Sequence, residues 1–171
     1  MDKLSPERRS ENMRNIRGKN TTPELAVRKL CREIGFSGYR IHRKELPGKP
    51  DVAWLGRKLA IFVHGCFWHG HDCKEGLRKP KSNRAYWVPK MKRNQQRDSK
   101  NINVLRASGW EVLIIWECEI KDMENLEKTL LKFLFKKAQS GSRGGFSPSP
   151  HTTRRAGPHR AVHKDYRAVA G

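Results

Sequence analysis

Leu59-Ala60-Ile61-Phe62-Val63 is an unbroken apolar run of strand length, followed at once by His64-Gly65-Cys66-Phe67-Trp68-His69-Gly70-His71-Asp72-Cys73. An uninterrupted run of this kind predicts a buried strand, for which the rest of the chain must supply cover. The ten residues after it hold three imidazoles, two thiols and two aromatic rings. Strand ends hold side chains in fixed geometry while leaving them accessible, so chemistry is expected there.

Around this run the pattern predicts one α/β domain with a small mixed sheet. Thr21-Thr22-Pro23-Glu24 is a capping box with an early proline, and Ala26, Val27, Leu30, Cys31 and Ile34 follow at helical spacing. A helix over about 23–34 is expected, with Gly35 as its stop and Cys31 a buried free thiol on its apolar stripe. Residues 50–63 form a hairpin, Asp51-Val52-Ala53-Trp54 running out and Lys58 to Val63 running back across Leu55-Gly56-Arg57. A helix is expected from about Ala85 to Ser108, with Pro89 in a first turn or at a kink. Trp110–Trp116 predicts a strand suited to the centre of the sheet. Asp122 caps a last helix with Leu126, Leu130, Leu131, Phe133 and Leu134 inward.

Both ends differ in composition. Residues 1–20 form a basic arm with few apolar residues and a helix start at Ser5-Pro6-Glu7. Such an arm lies on a partner or stays mobile. Residues 138–171, rich in Ser, Gly, Pro, Arg and His, read as a disordered tail, leaving 21–137 as the folded domain. The chain carries 37 Lys+Arg against 17 Asp+Glu, a formal +20, the footprint of a polyanion binder. The tail accounts for only +5 of this, so a basic tail is not the source. No segment approaches the ~18–20 apolar residues of a membrane span, and the N-terminus lacks a signal-peptide stretch. A cytoplasmic protein with reduced thiols is expected, and its four cysteines read as metal ligands or core residues rather than a disulfide framework.

Cys66, His71 and Cys73 have the spacing of one side of a zinc site, and Cys118, just past the second apolar strand, is the natural fourth ligand. Spacing alone does not choose among His64, His69 and His71 for the nitrogen. A thiolate-rich four-coordinate site is a closed structural site. Asp51 opens a hairpin strand, as in many metal-dependent nucleases, but Phe62-Val63-His64 stands where an acidic-x-Lys would complete that pattern. A carboxylate, a backbone carbonyl and phosphate oxygens suit Mg²⁺, and a neighbouring imidazole could then deprotonate the attacking water. Asp98, on the long helix, could orient that histidine. Phe67, Trp68, Tyr86 and Trp87 lie in polar contexts beside these groups, where rings stack on bases or wedge between base pairs.

These blocks resemble the very short patch repair (Vsr-type) endonucleases. The resemblance rests on residues 62–73, Leu46-Pro47-Gly48-Lys49-Pro50-Asp51, Arg97-Asp98, Gly109-Trp110-Glu111-Val112-Leu113, Trp116-Glu117-Cys118, and Arg14-Asn15-Ile16-Arg17 with Thr22-Pro23-Glu24. It spans about residues 5–135. It implies a restriction-endonuclease-like α/β fold, with a small central mixed sheet flanked by helices and a structural zinc. The implied activity is Mg²⁺-dependent nicking of one strand 5′ of the T in T:G mismatches left by 5-methylcytosine deamination. Carried over by position, Asp51 and the Val63 carbonyl would hold Mg²⁺. His69 would be the general base, oriented by Asp98, with His64 assisting and Glu24 meeting metal-bound water. Cys66, His71, Cys73 and Cys118 would hold Zn²⁺. Phe67, Trp68 and Trp87 would wedge into the duplex, and Arg14 and Arg17 of the arm would clasp it. The partners implied are mismatched double-stranded DNA and other mismatch-repair proteins, met by a monomer on the bacterial nucleoid. Val63 stands where threonine is frequent in such proteins, and Gly70 and Asp72 where histidine is. The rival reading is a non-catalytic zinc-containing DNA-binding module, which has no use for Asp51, His69 and Asp98.

Overall fold

The computed structural model describes residues 18–80 and 83–136, together with Ser5, Arg8 and Glu11. The elements described below belong to one compact unit, Arg17–Ser142. Of the remaining unit, Arg8 donates its backbone N–H to Ser5 Oγ at 3.3 Å, as a helix start at Ser5 requires. Arg14, Arg17 and the 138–171 segment lie outside the described residues.

Helix α1 (Thr22–Glu33) begins at Thr21, whose Oγ1 accepts the Glu24 N–H at 3.4 Å. It ends in a full αL stop: Gly35 at φ +85° donates to the Arg32 carbonyl, and Phe36 donates to that of Cys31. Val27, Leu30 and Cys31 face the core. Strand β1 (Val52–Trp54) pairs antiparallel with β2 (Leu59–His64), Val52 opposite Ile61 and Trp54 opposite Leu59. A 3₁₀ turn, Leu55–Arg57, and Lys58 at φ +51° join them. Strand β3 (Glu111–Trp116) pairs parallel with β2, from Leu59 opposite Glu111 to His64 opposite Trp116.

The order is β1-β2-β3, which corrects one expectation. Strand β2, not β3, is the centre. Strand β3 pairs on one side only among the described residues, and its apolar run is explained by cover on both faces. Val112 and Ile114 pack with Phe62, Ile102 and Leu105 on one face. Leu113 and Ile115 pack with the larger cluster of Val27, Leu30, Leu59, Ile61, Leu126, Leu130 and Leu134 on the other.

Helices supply that cover. Helix α3 (Arg84–Ala107) runs through Pro89 in its second turn, where the Ala85 carbonyl has no backbone N–H to accept. It stops at Gly109, φ +80°, with Trp110 donating to the Leu105 carbonyl. Helix α4 (Met123–Lys136) starts at Asp122, which accepts the Asn125 N–H at 3.0 Å. Leu126, Leu130 and Leu134 form its buried stripe. The sequence did not signal α2 (Cys66–His69), a single turn between Gly65 and a left-handed Gly70. Among the described residues no helix is long and apolar enough to cross a membrane.

Leu130 is fully buried, so Leu130→Ala should lower unfolding free energy by about 2–5 kcal/mol. Val104→Ala, at a 44% exposed site on α3, should change it by less than about 0.5 kcal/mol. Urea unfolding checks both, and equal effects would mean the core is assigned to the wrong face.

Candidate active site and metal centre

Three groups of ligand-type side chains meet at the C-terminal end of β2. The first is built on Asp51. The turn before it is tight: Gly48 and Lys49 adopt positive φ, and a Cβ on Gly48 would sit 3.1 Å from both Phe62 and Asn101. That turn leads Asp51 into the hairpin, where its N–H donates to the Ile61 carbonyl and its Oδ2 accepts the Val63 N–H at 2.8 Å. Burial pushes the Asp51 carboxyl up to about 6, with Glu24 adding to the rise and the Val63 N–H opposing it. Such a carboxylate is short of positive charge, and its oxygen donors suit a hard divalent cation.

Glu24, His42 and Asp51 offer ligand atoms that all lie within 4.8 Å of one another. Glu24 is already engaged. Its Oε2 accepts from the Asn20 N–H at 2.9 Å and from Arg28 Nη2 at 2.8 Å, and its Oε1 accepts from the Thr21 hydroxyl at 3.0 Å. Sequence reasoning placed Glu24 but missed Asn20, Arg28 and His42. No spacing rule marks these three, which converge only when α1 packs beside the 40–51 segment.

The second group is His64, His69 and Asp98. His64 ends β2 one residue beyond Val63, and its ring stacks on His69 with centroids 4.1 Å apart. Burial, then the neighbouring His69, lowers the His64 pKa to about 4, so this ring is neutral. His69 leaves the α2 turn toward α3, where its Nδ1 lies 2.5 Å from Asp98 Oδ2. A carboxylate only accepts, so Nδ1 carries a proton, and in the neutral ring it is Nε2 that keeps the lone pair. Burial pushes the Asp98 carboxyl up, but the hydrogen bond from His69, joined by the nearby imidazoles and the Arg97 guanidinium, outweighs it and holds it below its usual range. Asn94 and Gln95 of α3 donate to the carbonyls of Trp68 and His69, tying the turn to the helix.

The third group is Cys66, His71, Cys73 and Cys118, again within 4.8 Å of one another. His71 is the histidine that joins the cysteines; its Nδ1 lies 3.3 Å from Cys118 Sγ, and its ring stacks on Trp116 at 4.3 Å. His64 and His69 are engaged elsewhere. Gly76, missed in the sequence, closes the loop. Its N–H reaches Cys73 Sγ at 3.4 Å, and a Cβ there would lie 1.9 Å from the His71 carbonyl oxygen. The Gly76 N–H holds the Cys73 thiol down to about 7, while burial pushes Cys66 up to about 12. Three crowded sulfurs can all ionise only beside a cation, and this donor set fits a tetrahedral ion with bonds of ~2.0–2.3 Å. Cys31 lies apart, buried in the core, its thiol raised to about 12 by burial.

Beside these groups runs a chain of half-exposed rings. Phe67 packs edge-on against Trp68 at 5.0 Å, Trp68 lies 5.6 Å from Trp87, and Trp87 lies 4.8 Å from Tyr86. Lys90 Nζ sits over both Tyr86 and Trp87. Exposed Lys92, Arg93, Arg97 and Lys100 continue the basic surface along α3.

Comparison with known proteins bears on this arrangement. The family described as DNA mismatch endonuclease Vsr matches residues 1–75, which include every residue named in the three groups except Asp98 and Cys118. A type II nicking enzyme, V.XorIIP of Xanthomonas oryzae pv. oryzae, is 50% identical over 133 residues, covering 78% of this chain and 96% of that protein. V.NmeAIP of Neisseria meningitidis is 42% identical, covering 71% of this chain and 85% of its own. The DNA mismatch endonuclease Vsr of Escherichia coli K12 is 37% identical, covering 69% and 74%. Among solved structures, the catalytic domain of the homing endonuclease I-Bth0305I matches with a TM-score of 0.49 at 24% identity, covering 68% of this chain and 97% of that one. With its cysteine–histidine cluster, its Asp51 hairpin and relatives matched over most of their length, the chain belongs to the Vsr family of DNA mismatch endonucleases.

Proposed function

We propose that this protein is a Mg²⁺-dependent endonuclease that nicks one DNA strand 5′ of the T in T:G mismatches arising from 5-methylcytosine deamination. The observation that carries the reading is the His69–Asp98 pair, which leaves one imidazole nitrogen free beside the Asp51 hairpin. A module that only binds DNA has no use for an oriented, unligated imidazole.

Asp51 and the Val63 carbonyl are the oxygen donors for Mg²⁺, which when bound neutralises phosphate charge and lowers the pKa of water. His69 Nε2 accepts the proton of the water that attacks phosphorus, and Asp98 holds its tautomer and stabilises the imidazolium that forms. His64, neutral and stacked on His69, donates a hydrogen bond toward the phosphate or the waters around it. Glu24 would meet water bound to the cation. Cys66, His71, Cys73 and Cys118 hold a structural Zn²⁺ that braces the α2 turn and so aims His69.

The ring chain supplies the discrimination. Phe67, Trp68 and Trp87 wedge beside the mismatch, which costs less to unstack than a matched step. The α3 cations, with Arg14 and Arg17 of the N-terminal arm, contact phosphates. On this reading the domain spans 21–137 and acts as a monomer on nucleoid DNA in the cytoplasm. Its partners would be other mismatch-repair proteins.

A duplex panel tests the activity. Purified protein with Mg²⁺ should nick T:G duplexes at least ~10-fold faster than matched ones, given the few kcal/mol saved in unstacking. No Mg²⁺-dependent cut in protein that binds DNA and carries zinc would reject the reading in favour of the binding module. His69→Ala should lower the rate by about 10²–10⁴ while keeping one equivalent of zinc. Equal loss of zinc and activity would mean that ligand and base are exchanged. Cys118→Ser should lose zinc and melt at lower temperature.

Asp51 also sets a pH dependence of stability. Its carboxyl is raised from 3.8 to about 6, so the folded state holds the proton more tightly than the unfolded chain does. The Asp51 contribution to stability therefore falls as pH rises from about 4 to about 6 and then levels. His64, lowered to about 4, contributes in the opposite sense over the same range, so Asp51 is read by comparing wild type with a variant. Without added Mg²⁺, Asp51→Asn should exceed wild type by about 1–3 kcal/mol above pH 6, and the gap should close near pH 4. Chemical denaturation across pH reads this, and a less stable Asp51→Asn at pH 7 would contradict it.

A further inference from the structure

Behind Asp51 lies a buried relay of side chains that starts at Arg28. Arg28 is 4% exposed. Its Nη1 donates to Asn20 Oδ1 at 2.7 Å, and its Nη2 donates to Glu24 Oε2 at 2.8 Å and lies 3.0 Å from His42 Nε2. A guanidinium has donors only, so toward Arg28 the His42 Nε2 presents its lone pair and the ring proton sits on Nδ1. The Glu24 Oε2 carboxylate oxygen also lies near Nε2, at the longer distance of 3.5 Å. His42 Nδ1 in turn lies 3.8 Å from Asp51 Oδ1, the carboxylate oxygen that does not take the Val63 N–H. The positive end of the imidazole dipole is thus aimed at Asp51 from one side while the Val63 N–H holds it from the other.

The backbone around this relay is under constraint. Asn20 (φ 54°), His42 (φ 47°) and Lys49 (φ 53°) all take left-handed conformations without being glycine. Such residues persist where the surroundings over-determine them, and they cluster at functional sites. Asn20 supplies both a backbone N–H to Glu24 and a carbonyl oxygen to Arg28, His42 carries the relay ring, and Lys49 sets the turn into Asp51. Arg28 Nε is buried with no hydrogen-bond partner among the described residues, a cost that packing alone does not explain.

We infer that Arg28 and His42 are positioning residues for the nicking reaction: Arg28 fixes the His42 ring as its Nδ1–H tautomer, and His42 holds the Asp51 carboxylate in the orientation that receives a divalent cation. The inference rests on the proposed role of Asp51 as a cation ligand. Glutamine can replace this ring, because its amide offers an acceptor toward Arg28 and a donor toward Asp51. Leucine fills the space and offers neither.

Two measurements on the full-length, zinc-loaded protein test it. Nitrogen-15 NMR of labelled histidine should find His42 as the Nδ1–H tautomer in wild type and should find that form lost in Arg28→Met. An Nε2–H tautomer in wild type overturns the inference. Mn²⁺ binding by electron paramagnetic resonance, with Asp51→Ala as the blank, and Mn²⁺-supported nicking form the second arm. His42→Leu should weaken Mn²⁺ binding and lower kcat by about 10–100-fold with KM for DNA unchanged, as loss of a supporting shell does. His42→Gln should stay within about threefold of wild type, because its amide keeps an acceptor toward Arg28 and a donor facing Asp51. Equal behaviour of the Leu and Gln variants reduces His42 to packing and overturns the inference. Wild type that neither binds Mn²⁺ through Asp51 nor nicks instead overturns the proposed activity, and the tautomer arm then decides the Arg28–His42 pairing by itself. Should His42→Leu not fold, the tautomer and the Gln variant still decide.

Discussion

The parallel pairing of Leu59–His64 with Glu111–Trp116 is the constraint on which the rest of the site depends. Its register sets His64 opposite Trp116, so both strands leave the sheet at the same level. The α2 turn then carries Cys66, His69 and His71 out of one strand, and the 3₁₀ turn Glu117–Lys121 carries Cys118 out of the other. Trp116 joins the two, stacking on His71 and meeting His64 edge-on at 5.3 Å. A slip of one residue would turn His64 to the opposite face and separate the sulfur ligands. The antiparallel partner does the same for oxygen: the hairpin register sets Asp51 against the Val63 N–H. One strand end thus serves two chemistries, sulfur and nitrogen donors on one side and a carboxylate on the other.

The electrostatics of the site run against stability and toward use. Burial pushes the Asp51 carboxyl up and the His64 imidazole down, each disfavouring the charged form. Arg28 is buried with an unpartnered Nε, and non-glycine residues hold left-handed backbone around it. A chain selected for stability alone would replace these groups. On the function proposed above, these groups would set dipoles around the site before a cation and a phosphate arrive.

Much of this was legible in the sequence. The capping box at Thr21–Glu24, the stops at Gly35 and Gly109, and the Asp122 cap mark helix ends by local hydrogen bonding, and the structure places those helices within a residue or so. The hairpin is equally local. The order of strands is not: β3 looks like a central strand because both its faces are covered, and the sequence does not say that helices rather than strands cover them. The α2 turn was hidden because four residues are too few for a period. The cysteines, Asp51 and Asp98 could be picked out by residue type and spacing. The choice of His71 for the cysteine group and of His69 as the free ring came from the family resemblance, because spacing alone does not sort the three histidines. Arg28 and His42 could not, because a lone arginine on a helix and a lone histidine in a loop carry no spacing signal. Gly76 shows its purpose only when the His71 carbonyl is seen against it.

The central claim is a division of labour between two kinds of ligand, with His71 on the sulfur side and His69 left free. X-ray absorption at the zinc edge of the purified protein tests it most directly. Three sulfur neighbours at ~2.3 Å and one nitrogen at ~2.0–2.1 Å are expected, unchanged in His69→Ala. Two nitrogen neighbours in wild type, or loss of the single nitrogen in His69→Ala, would contradict it.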